Sequence, residues 1–273
     1  MSPLKEYVLH GWDDFNSAAQ MSLIGLPFRS GYLFRGQSVS DWSLSPSLLR
    51  IISGLGPDAG IELEQLAAAA FGRQAHHYID AKPDNCVDRW TDMQHYGVPT
   101  RVLDWTSSPY VAAFFAVYAN LHSDGAVWAA QSTLANRHFW PDVTPGIAPQ
   151  DYVGNKKGVD VDEMFRTNGP ADVFFFSPSV MHERLVSQQG WFSVSRDVLA
   201  DHRTPLESVP SAIGGDVFLK LIIPKSMKRE FCLHLQAAGI TERSLFPGID
   251  GFGRSIGTMM RMHQPAPASS ASS

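Results

Sequence analysis

Apolar residues along this chain change spacing several times, and each change marks an expected element boundary. Tyr32 to Arg35 reads as a short strand broken at Gly36. Ile61 to Ile79, IELEQLAAAAFGRQAHHYI, carries helical apolar spacing and helix-favouring alanines. The run after Asp84, with DRWTDMQHYG, reads as a second helix closed by Gly97, and the two are expected to pack together. Val98 to Trp105 passes Pro99 into a short extended segment. A small-residue helix follows: Ser107 or Ser108 caps it, Pro109 fits its first turn, and Ala112, Ala113 and Ala116 let Phe114 and Phe115 pack closely. Gly125 to Ala130, GAVWAA, has the composition of a buried strand.

Gln131 to Pro170 turns polar and rich in breakers, which predicts loops with one short helix at Asp160 to Phe165, forming a lid or an insertion. ADVFFFSP, HERLVSQQGWFSV and GDVFLKLIIP then read as three consecutive strands of one sheet. Lys225 to Ala238 is predicted helical, ITERSLFP extended, and a last helix starts at Asp250 or Gly251. HQPAPASSASS lacks the apolar residues to pack, so residues 263–273 are expected to be a disordered tail and residues 1–262 a single domain. An amphipathic segment opens the chain, and no period of 20 to 50 residues suggests a solenoid.

Composition narrows the function. With 273 residues, 44% hydrophobic and 11% aromatic, the chain can bury a substantial core. Its formal charge of -5 argues against a broad electrostatic grip on nucleic acid. Cys86 and Cys232 form neither a CxxC pair nor a disulfide framework, which suits small buried hydrophobes in a reducing cytoplasm. Absence of a basic-then-apolar leader and of long apolar windows predicts no secretion signal, no membrane span or membrane partner, and a cytoplasmic location. The adjacent His76 and His77 cannot share one helix face, no HExxH is present, and no metal site is expected. GxSxG, Walker and strand-following GxGxxG patterns are missing, so serine hydrolase, P-loop and dinucleotide-reductase readings lack support.

The densest chemistry lies between Met93 and Tyr118, where His95, Tyr96, Arg101, Asp104, Trp105, Thr106 and Ser107 crowd the entrance to the small-residue helix. The N-terminus of that helix points N–H groups and a positive dipole end toward Asp104 to Ser108, which suits a phosphate or another anion. Structural roles compete for every one of these residues. Arg35 beside Asp41 or Asp104 also reads as a buried ion pair, His95 as a cap for helix carbonyls, and Tyr96 and Trp105 as core anchors. Gln188 before Gly190 reads as a strand bulge, and Arg184 beside Glu183 as a surface pair.

Three segments together resemble the FRG domain, a bacterial and phage-associated family named for its Phe-Arg-Gly motif: LFRGQ at Leu33 to Gln37, QHYGVPTRVLDWTSSPYVAAFFA at Gln94 to Ala116, and RLVSQQGWF at Arg184 to Phe192. GITERSLFPGIDG at Gly239 to Gly251 is a weaker fourth. The family's proposed kinship with the ADP-ribosyltransferase fold implies an α+β class, with a mixed or antiparallel split sheet core and flanking helices. It also implies an Arg or His on the first strand holding the phosphates or ribose of NAD, a polar Ser-Thr strand framing the nicotinamide pocket, and a late Glu orienting the nucleophile. Arg35 fits the first role, Thr106 and Ser107 the second, and Glu242 or Gln188 the third. Glu242 stands two positions earlier than the usual spacing, where Ser244 takes the place, and Gln188 is an amide that cannot act as a base. Asp104 is therefore a competing carboxylate.

What the resemblance implies is NAD as a substrate, contacted by Arg35, Gly36, Gln37, His95, Tyr96, Arg101, Trp105, Thr106 and Ser107, with no metal. Cleaving the nicotinamide bond builds positive charge on the ribose, which a carboxylate stabilises while an Arg clamps the diphosphate and aromatic rings exclude water. The expected activity is ADP-ribosyl transfer to a protein or nucleic acid by a toxin or antiphage effector, with a neutralising partner in the toxin case. A non-catalytic nucleotide-binding module and an NAD glycohydrolase are the alternatives.

Overall fold

The computed structural model describes residues 4–24, 31–79, 83, 85–140, 161–210 and 217–262. Its strands are β1 (Lys5–Val8), β2 (Tyr32–Gln37), β3 (Leu103–Thr106), β4 (Gly125–Gln131), β5 (Phe174–Phe176), β6 (Gly190–Val194) and β7 (Phe218–Ile223), joined in one sheet of order β1-β7-β4-β2-β3-β6-β5. The β1–β7 pair is parallel and the other five pairs are antiparallel, so the sheet is mixed. Helices flank it, giving an α+β architecture. The strands form one sheet, and its weakest seam is β2–β3, where only Phe34 and Thr106 stand in register.

Side-chain alternation along the strands divides the core. On one face Phe34, Val127, Leu221 and Ile223 pack against α5 (Pro109–Val117) and α10 (Lys228–Ala237) through Val111, Ala112, Phe114, Phe231 and Leu235. On the other, Leu33, Leu103, Trp105, Trp128 and Phe175 pack with Leu44 and with Leu206 of α9 (Arg203–Ser208). Helices α3 (Pro57–Ala75) and α4 (Cys86–His95) cover the β5–β6 end, where Trp90 and Met93 meet Phe174, Phe176 and Phe192. Asn85 caps α4 by accepting from the Asp88 N–H at 3.0 Å.

Several expected elements are found with small shifts of boundary. The helix read at 61–79 runs Pro57–Ala75, Gly97 adopts the positive φ of 84° suited to a chain leaving a helix, and Ser108 caps α5 by accepting from the Val111 N–H at 3.3 Å. Lys225–Met227 forms a 3-10 turn leading into α10, and Ile249–Met262 forms α12.

The differences share a physical cause: local polar satisfaction and long-range pairing outweigh apolar pattern. β2 is not broken at Gly36 but continues to Gln37, paired with β4 throughout. HERLVSQQGWFSV is not one strand. Its first half is α8 (Glu183–Ser187), entered where His182 Nδ1 accepts from the Leu185 N–H at 3.4 Å and left through Gln189 at φ 49°. ITERSLFP is not extended either, because Thr241 and Ser244 form a capping box, with N–H to Oγ bonds of 2.9 and 3.3 Å, that starts α11 (Glu242–Leu245). GDVFLKLIIP supplies β7, which leaves β5 and β6 and crosses to lie between β4 and β1.

Residues 132–139 form α6 (Ser132–Phe139) where loop was expected, started by Gln131 Oε1 accepting from the Leu134 N–H at 3.2 Å. Its Asn136 bonds the Phe175 N–H and carbonyl, each at 2.8 Å, and so docks α6 on β5. The short helix expected near 160–165 is α7 (Val161–Met164), while residues 141–160 of the expected lid or insertion and the expected tail fall outside the described residues. No helix of the described residues is long and apolar enough to cross a membrane. Cys86 and Cys232 are free thiols, half-buried and buried respectively.

Candidate functional site

Where the β2–β3 ladder ends after its single registered pair, a side chain takes over from the backbone. Arg35 Nη1 donates to the Asp104 carbonyl at 2.6 Å and stands 3.8 Å from Asp104 Oδ2. The Arg35 side chain is 20% exposed and that of Asp104 62%, so the cation is largely desolvated while the carboxylate sits in water. Burial pulls the Arg35 pKa below the usual arginine value, opposed by Asp104 and reinforced by Arg50. Arg35 Nε is buried with no acceptor.

A polar rim borders this junction. Thr106 Oγ1 donates to the Gln188 carbonyl at 2.7 Å and accepts from the Ser108 N–H at 3.1 Å. The Ser107 N–H donates to the Gln189 carbonyl at 3.1 Å, and Ser107 Oγ donates to Gln189 Oε1 at 3.2 Å. Gln188 Nε2 in turn donates to the Leu245 carbonyl at 3.0 Å. The turn between α8 and β6 is thus pinned to the start of α5 and to α11. Thr106, Ser107 and Gln188 hold the rim in shape.

Below the junction, Trp105 Nε1 donates to Ser193 Oγ at 2.7 Å, and the same Oγ lies 2.8 Å from His202 Nδ1. Trp105 is buried against Phe175 edge-on, a core position with no open ring face. Burial first, then Arg35 and Arg101, hold the His202 imidazole far below its usual pKa, at about 3. No motif in the sequence singles out His202; it reaches this layer only because α9 folds across the sheet.

Other candidates have different places. Arg101 is 1% exposed, its Nε donates to Glu64 Oε1 at 2.8 Å, its Nη2 pairs with Glu64 Oε2, and its Nη1 donates to the carbonyls of Ser195 and Arg196 at 3.4 and 3.3 Å. Trp90 lies 4.8 Å beneath its guanidinium, so Arg101 ties α3 to the sheet. Gln37 is also committed, donating to the Ser43 carbonyl at 2.9 Å and accepting from Trp128 Nε1 at 2.7 Å. Gly36 faces α5, where a Cβ would stand 1.9 Å from the Ala112 carbonyl oxygen, which leaves no room for a ligand on that side.

His95 and Tyr96 lie at the end of α4, with the His95 ring 3.8 Å from that of His182 and Tyr96 54% exposed. Burial, aided by His95 and Arg184, lowers the His182 pKa to about 4, and burial with Arg184 lowers that of His95. Arg184 is not the expected surface partner of Glu183; its guanidinium lies 5.1 Å above the Phe246 ring. Glu242 is 3% exposed in the first turn of α11, and its buried Oε1 has no partner. Among the described residues no group of three or more His, Cys, Asp or Glu side chains is arranged to hold a metal ion. A cavity of about 280 Å³ bounded by Glu64, Cys86, Trp90, Asp162 and Phe165 lies between α3, α4 and α7, away from Arg35.

Residues 30–125 match the family model of the FRG domain, and the chain carries an FRG domain over that stretch. The match takes in Arg35, Gly36 and the whole Met93 to Tyr118 region, while Gln188, His202 and Glu242 lie beyond it. No characterised protein and no solved structure matches the chain.

Proposed function

We propose that the domain binds NAD at the β2–β3 junction and transfers its ADP-ribosyl group to a macromolecular acceptor. The observation carrying this reading is the pairing of a desolvated, incompletely bonded Arg35 with the exposed carboxylate of Asp104, 3.8 Å apart at an open strand seam. Arg35 clamps a diphosphate oxygen, since a guanidinium with donors to spare binds phosphate strongly. As the bond between nicotinamide and ribose C1′ breaks, nicotinamide leaves with the electron pair and Asp104 stabilises the positive ribose. An acceptor nucleophile then bonds to C1′ and surrenders its proton, for which Asp104 is the accessible base. This role falls to Asp104 because its carboxylate stands 3.8 Å from Arg35, whereas Glu242 lies in α11 with no contact to Arg35 and Gln188 has no basic group.

The setting implied by the family resemblance is a cytoplasmic toxin or antiphage effector, acting on protein or nucleic acid and restrained by a neutralising partner. A second reading, a nucleotide-binding module without turnover, is favoured by the burial of Glu242, the late carboxylate of the transferase pattern. Incubating the protein with labelled NAD and cell lysate, while following free nicotinamide and transferred label, tests both. Transfer supports the transferase, nicotinamide release alone indicates a glycohydrolase, and NAD binding without either product sinks catalysis in favour of the module.

A further inference from the structure

His202 is 1% exposed, and its two ring nitrogens have different surroundings. Nδ1 lies 2.8 Å from Ser193 Oγ, which also receives the Trp105 indole N–H at 2.7 Å. An indole nitrogen only donates, so the serine hydroxyl proton is available to Nδ1. With the serine hydroxyl donating to Nδ1, the neutral ring carries its proton on Nε2, the tautomer on which the inference rests. Nε2 is buried without a partner.

Arg35 Nε–H is a second buried donor without an acceptor. The two belong to the same face of the sheet. Leu33, Arg35 and Gln37 alternate onto the side that packs with Trp105, and the register of Phe34 with Thr106 sets Arg35 beside Trp105. Trp105 reaches His202 through Ser193. Unmet buried donors are uncommon, and two on one face call for an acceptor with lone pairs and no hydrogens to place. A water molecule would bring two hydrogens needing acceptors of their own; an anionic oxygen brings none.

We propose that His202 Nε2–H and Arg35 Nε–H together receive an anionic phosphoryl oxygen, making His202 a ligand-binding residue of the Arg35 site. This deepens the NAD reading, in which the oxygen belongs to the diphosphate. His202 supplies a directed hydrogen bond without a second positive charge, and the Trp105–Ser193 chain fixes its tautomer and ring plane.

Calorimetric titration with inorganic pyrophosphate and, separately, NAD tests the site in wild type, H202Q and H202N, each first shown to be folded by circular dichroism. Glutamine places an N–H donor near the Nε2 position, whereas asparagine reaches only the Ser193 side. H202N is expected to lose pyrophosphate affinity by about tenfold or more while H202Q stays near wild type. Equal losses in both variants, or none in H202N, overturn the assignment, as does a wild-type protein that ignores pyrophosphate. Nitrogen NMR of the wild-type imidazole gives an answer that needs no variant: Nε2 is protonated and its resonance moves when pyrophosphate is added. An Nδ1-protonated ring or an unmoved resonance overturns the proposal, with bound water as the remaining acceptor. Pyrophosphate binding through His202 without NAD turnover leaves this site standing and removes only the transferase reading.

Discussion

Gly36 stands against the Ala112 backbone so closely that a Cβ on it would lie 1.9 Å from the carbonyl oxygen and 2.8 Å from the Ala116 nitrogen. The third residue of the Phe-Arg-Gly motif therefore sets how near α5 comes to β2, and it does so without a positive φ. Close approach also explains the alanines of α5, which are fully buried at positions 112, 113 and 116. The motif's phenylalanine joins that helix-facing core while its arginine turns to the opposite face.

Because the obstructing atoms are backbone, Gly36→Ala displaces the helix rather than a side chain. The variant is expected to lose at least about 2 kcal/mol of stability, read from the urea midpoint. An unchanged midpoint would contradict the packing described.

Arg35 and Arg101, both in the family-matched stretch, should separate cleanly. Arg101→Ala leaves Glu64 buried and unpaired, with its pKa already raised by burial, and should cost about 3–5 kcal/mol. Arg35→Ala should cost no more than about 1–2 kcal/mol, because its one carbonyl bond is partly replaced by water, yet abolish NAD binding. Thermal unfolding and calorimetry on the two proteins check this. NAD bound at wild-type affinity by Arg35→Ala would remove the clamp.

The carboxylate assignment makes an asymmetric prediction. Asp104→Asn should keep NAD bound and slow nicotinamide release about 100-fold or more, whereas Glu242→Gln should leave turnover unchanged. The reverse outcome, measured by nicotinamide release under saturating NAD, would hand catalysis to the buried glutamate.

Stability should fall on mild acidification. His182 and His202 titrate at about 4 and about 3 when folded, and His95 is lowered as well. Unfolded histidines titrate near about 6.5, so below that pH the unfolded chain binds more protons and is favoured. The loss begins as pH drops through about 6.5 and continues toward about 4 for His182 and about 3 for His202. Comparing urea midpoints at pH 7 and pH 5 checks the sign. His182→Asn, which keeps a capping oxygen for the Leu185 N–H, should show a shallower dependence. A slope identical to wild type would mean that His182 is not held neutral.

Much of the scaffold was legible in one dimension. Helical spacing located α3, α4, α10 and α12, and the Ser108–Pro109 start of α5 was readable because capping is a contact between near neighbours. The same local logic was available for α11, whose Thr241–Ser244 box was missed in favour of a short apolar run. Arg35, Asp104, Thr106 and Ser107 were singled out from sequence, and folding brings them to one seam with Gln188 behind it.

Sequence by itself determined the residues whose chemistry is local: which segments coil, where they are capped, and which motif carries the arginine and glycine. Tertiary structure alone decided that β7 crosses to β4, that Arg101 is consumed by Glu64, and that His202, 167 positions beyond Arg35 in a stretch without a motif, joins the Trp105–Ser193 chain. Periodicity and capping act over a few residues, whereas strand pairing and the partner of a buried charge depend on which distant surfaces close together most completely.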